Sequence, residues 1–74
     1  MTTLRQRLGK RVRQIRRYKD LTQEQLAERV GVSVEFIGYI ERGQSAPSFE
    51  TLEKIAEVLE VEVGEFFQSP KDKP

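Results

Sequence analysis

Residues 22–43 (TQEQLAERVGVSVEFIGYIERG) carry start and stop signals for two short helices in a row. The first start is at Thr22, whose hydroxyl can accept a backbone N–H that the first turn of a helix leaves without a partner. Gln25 lies three residues later, at the spacing that completes a capping box. The first stop is at Gly31, because glycine adopts the left-handed conformation of a helix C-cap at little cost. This half of the stretch therefore predicts a helix between Thr22 and Gly31.

The second half repeats the arrangement, with Ser33 as the cap and Gly43 as the stop. Val32 precedes the cap and Ile37 lies in the next turn, at the spacing of a hydrophobic staple. Only a few residues separate the two predicted helices, so their axes must cross at a large angle. This spacing predicts a helix-turn-helix motif.

The composition excludes most catalytic chemistry. The chain has 74 residues, enough for one small domain, and contains no cysteine and no histidine. Disulfides, the usual zinc sites and the common nucleophile–base pairs are therefore excluded. We expect no enzyme activity, no catalytic residue, no metal and no cofactor. The apolar runs are too short to span a bilayer and the N-terminus lacks the apolar core of a signal peptide, so a cytoplasmic domain without a membrane partner is expected.

The formal net charge of +1 conceals an uneven distribution along the chain. Residues 1–20 hold one acid, Asp20, and the basic residues Arg5, Arg7, Lys10, Arg11, Arg13, Arg16, Arg17 and Lys19. Residues 44–68 hold one base, Lys54, and the acids Glu50, Glu53, Glu57, Glu60, Glu62 and Glu65. Such a molecule would orient in the field of a polyanion. Solvated helix faces are the commoner origin of charge runs, so the pattern gains meaning only beside the helix-turn-helix motif.

A further helix is predicted before the motif. Its apolar stripe, at helical spacing, consists of Leu4, Leu8, Val12 and Ile15. The helix should end near residues 18–20. We expect residues 1–3 to be frayed and Tyr18 to lie at the edge of the core.

Two more helices are predicted after the motif. Pro47 prevents the preceding helix from continuing, and Ser48 can cap the next one. The apolar face of that helix consists of Leu52, Ile55, Ala56 and Leu59. A short fifth helix should cover residues 63–67, and no run alternates with the period of a strand. The predicted fold class is all-α: five helices in one domain over residues 1–68, followed by a disordered tail over residues 69–74.

The predicted core combines the inward faces of all five helices. Its members are Leu8, Val12, Ile15, Leu21, Leu26, Ala27, Val30, Val32, Ile37, Ile40, Leu52, Ile55, Ala56, Leu59, Val61 and Phe66. Adjacent phenylalanines on one short helix cannot both point into a small core. Either Phe49 or Phe67 is therefore left exposed, and we expect Phe67 to be the exposed one.

Together with its flanks, the motif resembles the phage repressor and Cro family, also called the XRE or lambda-repressor-like family. The resemblance is carried by TQEQLAERVGVS and IGYIERG, by LGKRVRQIRRYKDL before them and by PSFETLEKIAEVLEVEVGEFF after them. It implies a compact five-helix domain and a repressor-like transcriptional regulator. Such a regulator binds a palindromic operator in double-stranded DNA as a homodimer, with the second helix of the motif, the recognition helix, in the major groove.

The resemblance also implies roles for individual residues. Base-facing residues of the recognition helix would be Ser33, Val34, Glu35, Phe36, Gly38 and Tyr39. Contacts to DNA phosphates would come from Gln23, Arg16, Arg17, Arg42, Gln44, Ser45 and Ser48. A partly buried ion pair would join Arg16 to Glu41. The dimer interface would be formed by Val63, Phe66 and Phe67 of the fifth helix. A bacterial or phage protein, associated with the nucleoid when bound and without a small-molecule substrate, is expected.

The predicted recognition helix departs from the family pattern in one respect. It presents no outward Arg, Lys, Asn or Gln, but an acid, Glu35, and two aromatics, Phe36 and Tyr39. This favours an alternative hypothesis, a protein-interaction module that uses the exposed aromatic face of that helix. The sequence also leaves open an antitoxin or controller protein of a two-gene system. Binding that weakens steeply with salt would support DNA as the partner.

Overall fold

Four α-helices and one 3₁₀ turn account for most of residues 2–68, the part of the chain that the computed structural model describes. Their bounds are α1 Leu4–Tyr18, α2 Gln23–Val30, α3 Val34–Glu41, α4 Phe49–Leu59 and the 3₁₀ turn Val63–Phe67. Over this range the chain forms no strand, and the all-α prediction is confirmed. The fifth predicted helix is the 3₁₀ turn. The predicted tail over residues 69–74 lies outside the described residues.

Each α-helix begins at a hydroxyl side chain that accepts a hydrogen bond from a backbone N–H three residues later. The capping residues are Thr3, Thr22, Ser33 and Ser48. Three of these caps were predicted. The predicted fraying is wrong at Thr3, because Thr3 and Gln6 form a complete capping box, with 2.9 Å from Thr3 N to Gln6 Oε1 and 3.2 Å from Gln6 N to Thr3 Oγ1. Residue 1 lies outside the described residues. The sequence T-L-R-Q carries that signal.

The helix ends divide into predicted glycines and two unexpected residues with positive φ angles, Asp20 after α1 and Glu60 after α4. Gly31 and Gly43 adopt positive φ angles of 90° and 77°, as the C-cap prediction requires. The chain leaves α4 through Glu60, which has a φ of 61° and adopts the left-handed conformation without being glycine. The backbone N–H of Val61 donates to the carbonyl oxygen of Ala56 at 3.0 Å and so closes the end of α4. This bond compensates in part for the strain at Glu60.

The core lies between all four helices and the 3₁₀ turn, and the predicted membership is confirmed. Twelve of the predicted residues are buried: Leu8, Val12, Ile15, Leu26, Ala27, Ile37, Ile40, Leu52, Ile55, Ala56, Leu59 and Phe66. The remaining four pack against them half-buried: Leu21, Val30, Val32 and Val61. The helical spacing of apolar residues therefore located the inward face of each helix.

The aromatic side chains correct two predictions. Phe49 is 84% exposed, whereas Phe67 is half-buried and packs against the core. Phe49 is the first residue of α4, and its side chain leans toward the helix N-terminus, away from the core-facing turns. Tyr18 is 85% exposed and does not lie at the core edge, because it is the last residue of α1, beyond the buried stripe.

Two arginines of α1 hold the 3₁₀ turn in place. Arg7 Nη2 donates to the carbonyl oxygen of Phe67 at 2.9 Å, and Arg11 Nε donates to that of Glu65 at 3.1 Å. Arg11 Nη2 also lies 3.6 Å from the Glu65 carboxylate. Part of the basic face of α1 therefore stabilises the fold.

The two phenylalanines provide a test of this packing. Phe66 is completely buried, so Phe66→Ala should lower the free energy of unfolding by about 3–5 kcal/mol. Phe49→Ala removes the same atoms from an exposed position and should change it by less than about 0.5 kcal/mol. Urea denaturation followed by circular dichroism measures both. Equal effects of the two substitutions would contradict the assignment of Phe66 as the buried ring.

Candidate nucleic-acid interface

Helix α3 presents one face to the core and the opposite face to solvent. Three residues separate the end of α2 from the start of α3, so the two helices form the predicted helix-turn-helix. Ile37 and Ile40 are fully buried and anchor α3. Its outward stripe follows the i, i+3, i+4, i+7 spacing and consists of Glu35, Gly38, Tyr39 and the C-cap residue Arg42.

A buried ion pair joins α1 to the end of α3. Arg16 Nε donates to Glu41 Oε2 at 2.7 Å and Arg16 Nη2 donates to Glu41 Oε1 at 3.1 Å, so the pair is bidentate. Arg16 Nη1 donates to the carbonyl oxygen of Leu21 at 2.7 Å, in the connection between α1 and α2. The structure thus contains the Arg16–Glu41 pair that the family resemblance implied. It links α1, the α1–α2 connection and α3 through one guanidinium.

The burial of Arg16 limits its predicted role at DNA phosphates. The residue is 8% exposed, and three of its N–H groups already donate to protein acceptors. Arg16 also lines the groove beside this network, where a phosphate could approach only its two remaining N–H groups. The positive charge of Arg16, which was expected at the DNA surface, is therefore paired with the Glu41 carboxylate inside the protein.

Gln23 extends the same network to α2. Its Nε2 donates to Glu41 Oε1 at 3.0 Å, and the side chain is half-buried at the first position of α2. A predicted phosphate contact through Gln23 would have to use what remains of its amide or its backbone N–H. Close approach of the backbones supports this junction, because a Cβ on Gly9 of α1 would clash with the carbonyl oxygens of Ile40 and Glu41.

A groove beside this network runs between α1, the start of α2 and α3. Arg13 and Arg17 of α1 line it, and Arg42 lines it from the α3 side. The acids along the same groove are Asp20, Glu24 and the ion-paired Glu41. Arg17 was predicted to lie at the DNA surface, whereas Arg13 was not. Arg13 lies four residues before Arg17, on the same face of α1, and this spacing could have identified Arg13 from the sequence.

The predicted base-facing residues divide into three groups: exposed, half-buried and, at Gly38, buried. Ser33 and Glu35 are exposed, and Tyr39 is 45% exposed. The Ser33 hydroxyl accepts from Phe36 N at 3.1 Å and so also caps α3. Val34 and Phe36 are half-buried and pack against the core, so they offer DNA only part of their surface.

Gly38 corrects another predicted role. It is buried, because the side chain of Arg42 lies over it, and it is not available to face DNA bases directly. Of the predicted phosphate contacts that follow α3, Arg42 and Gln44 are exposed and Ser45 is half-buried. Ser48 is exposed and caps α4, accepting from Thr51 N at 3.1 Å.

The predicted dimer surface is also smaller than expected. Phe66 is fully buried in the core of its own chain and cannot contact a second copy. Val63 and Phe67 pack against the core but remain half-exposed. These two residues are the part of the predicted interface that a partner could reach.

The ion pair generates a stability prediction. Glu41→Ala leaves the buried Arg16 guanidinium without its carboxylate and should lower the free energy of unfolding by about 3–5 kcal/mol. Glu65→Ala breaks the more exposed Arg11–Glu65 pair and should cost less than about 1 kcal/mol. Urea denaturation of both variants gives the comparison. A loss at Glu41 no larger than that at Glu65 would show that the pair does not join the helices.

Comparison with known proteins identifies the family. A family model described as helix-turn-helix (HTH_3) matches residues 12–66. The chain is 38% identical over 65 residues to the uncharacterized HTH-type transcriptional regulator YazB of Bacillus subtilis, covering 88% of this chain and 91% of that protein. It is 41% identical over 56 residues to the immunity repressor protein of Bacillus phage phi105, covering 76% of this chain but 39% of the repressor.

A solved structure gives the same result. The restriction-modification controller protein C.AhdI of Aeromonas hydrophila superposes with a TM-score of 0.82 at 36% identity, covering 85% of this chain and 96% of the controller. Within residues 2–68, none of the helices has the length and apolar character needed to cross a membrane. The matched family model and these relatives agree with the helix-turn-helix described above: the chain belongs to the HTH_3 family, the XRE class of helix-turn-helix regulators.

Proposed function

We propose that this chain is a sequence-specific transcriptional regulator of the repressor type that docks α3 in the major groove of double-stranded DNA. The relatives are named as transcriptional regulators, a repressor and a controller protein, not as enzymes. The observation that carries the proposal is the placement of the arginine-lined groove directly beside the outward face of α3.

This placement matches what a DNA duplex presents. A helix in the major groove has a sugar–phosphate strand along its flank, and phosphates are bound by arginines and by helix N-termini. In this chain Arg13 and Arg17 lie along the groove that includes Gln23, the first residue of α2. Phosphates would position the domain there while Glu35 and Tyr39 meet the base edges. Ser33, Gln44, Ser45 and Ser48 would complete the contacts around α3.

The half-burial of Phe36 weakens the alternative of a protein-interaction module. That hypothesis depended on two aromatic side chains, Phe36 and Tyr39, forming an exposed apolar face. The structure packs Phe36 against the core, and the Arg42 guanidinium lies 5.3 Å from the centroid of the Tyr39 ring. The outward face of α3 therefore presents the charged groups of Glu35 and Arg42 around Tyr39, which suit polar base edges better than an apolar protein groove.

Two copies of the domain would bind together, each on one half of a palindromic operator. A single α3 contacts only a few base pairs, and family members place their half-sites about 34 Å apart, one turn of DNA. Val63 and Phe67 of the 3₁₀ turn offer a half-exposed apolar surface for the second copy. Hydrogen bonds from Arg7 and Arg11 hold that turn on α1 and so fix the position of this surface. In a bacterial or phage-infected cell the dimer would act in the cytoplasm, on the nucleoid.

Salt dependence tests the DNA-binding proposal. The affinity for a duplex selected from random sequences should fall steeply with rising salt, because each phosphate contact releases counterions. Arg13→Ala and Arg17→Ala should each reduce the slope of log K against log salt by about one. The control Lys54→Ala removes a charge from α4, away from the groove, and should leave the slope unchanged. Absence of binding to any duplex at low salt would refute the proposal.

The dimer surface has its own test. Phe67→Ser should shift the monomer–dimer equilibrium toward monomer, measured by sedimentation equilibrium with circular dichroism to verify the fold. Phe49→Ser is the matched control, since Phe49 is exposed on α4 and outside the 3₁₀ turn. A dimer lost on Phe49→Ser and kept on Phe67→Ser would place the interface on α4 instead.

A further inference from the structure

The outward stripe of α3 has a glycine, Gly38, at a position where a long polar side chain would be expected. Within the helix, Glu35, Gly38 and Tyr39 form the stripe, and none of them carries a guanidinium, an amide or an amine. Arg42 is the residue directly after the helix. Its side chain folds back by one turn and covers Gly38, so that its guanidinium lies on the outward face of α3.

Because Gly38 has no side chain, the Arg42 guanidinium can lie against α3 over residue 38. This position, over Gly38 and beside Tyr39, is called the seat of the guanidinium. A Cβ atom on Gly38 would lie 3.0 Å from Arg42 Nη1 and 3.6 Å from Arg42 Cζ and Nη2. Glycine inside a helix lowers helix stability, and Gly38 has an ordinary helical conformation that does not require glycine. The absence of a Cβ atom at residue 38 lets the Arg42 guanidinium lie directly against the helix.

Two neighbours orient the guanidinium from either side. The Tyr39 ring lies beneath it, with 5.3 Å from Arg42 Cζ to the ring centroid, a cation–π distance. Gln44 Oε1 accepts from Arg42 Nε at 3.3 Å. Over residues 2–68 this is the one hydrogen bond that the guanidinium makes, so its two Nη groups keep their donors for a ligand.

We propose that Arg42 is a base-reading residue, with its two-pronged N–H donor set directed at the O6 and N7 acceptors of a guanine in the major groove. This inference rests on the proposed function and deepens it. The bidentate Arg–guanine contact is the commonest specific contact between proteins and DNA. Gly38, Tyr39 and Gln44 act as positioning residues, because they hold the guanidinium over α3. The resemblance had assigned Arg42 to phosphates, which carry no sequence information.

Gly38→Ala tests the seat without removing the charge. A methyl group at residue 38 meets only the flexible end of Arg42, so the fold should be retained and the helix stabilised. The Arg42 guanidinium, however, must shift by a few tenths of an ångström to make room for the methyl group. Arg42→Ala removes the guanidinium itself. Arg42→Ala should therefore abolish discrimination at one base pair, Gly38→Ala should reduce discrimination at the same pair, and the double variant should lose no more than Arg42→Ala alone.

The experiment starts from the duplex that the wild-type chain selects from random sequences. Affinities are then measured for that duplex and for each single-base-pair change, with the wild type, both single variants and the double variant. The wild type should prefer one G·C pair over its substitutes by about 5- to 150-fold, the range of a good bidentate contact. Arg42→Ala should abolish that preference, Gly38→Ala should reduce it by a smaller factor, and both should leave the preferences at other positions intact.

Three results would overturn the inference. A uniform loss of affinity across all sequences on Arg42→Ala, with Gly38→Ala unchanged, would make Arg42 a phosphate contact and leave the proposed function standing. Unchanged discrimination in both variants would exclude any role for the seat. No duplex selected by the wild type would overturn both this inference and the proposed function. Thermal melting of Gly38→Ala verifies that the variant is folded.

Discussion

The bidentate ion pair between Arg16 and Glu41 is the interaction on which the rest of the structure depends. Both side chains are nearly inaccessible to water, so each charge is stable there only because the other is present. Through Gln23 and the carbonyl oxygen of Leu21 the pair also reaches α2 and the α1–α2 connection. It therefore fixes the end of α3 relative to the helices that carry the proposed phosphate contacts. This junction holds α3 in the orientation from which its outward residues would read base edges.

The arginines of this chain have separate tasks that the net charge conceals. Arg7 and Arg11 hold the 3₁₀ turn against α1, and Arg16 is buried in the junction. Arg13 and Arg17 line the groove where a phosphate strand would run. Together with Arg42 on the outward face of α3, they place three arginines at one surface, which also carries Asp20, Glu24 and Glu35. The uneven charge distribution noted in the sequence thus combines folding contacts with an electrostatic site.

Local signals predicted the helices and the core, because helix caps and apolar periodicity depend on residues only three or four positions apart in the sequence. The Arg16–Glu41 pair joins residues 25 positions apart and could be expected only from the family resemblance. What failed depended on how elements meet: Phe49 and Phe67 exchange their expected exposure, and Phe36 turns partly toward the core. No local pattern shows that Arg42 folds back over Gly38, since a long side chain has many rotamers and its choice depends on neighbours in space.

The central claim is that the outward face of α3 and the adjoining groove form the DNA-binding surface. Its most direct measurement is a ¹⁵N–¹H correlation NMR titration of the chain with the duplex it selects. We expect shift changes concentrated at Glu24, Glu35 and Tyr39, with Glu53 and Glu57 on the exposed side of α4 unchanged. Changes centred on Phe49 and the exposed side of α4, with α3 unaffected, would contradict it.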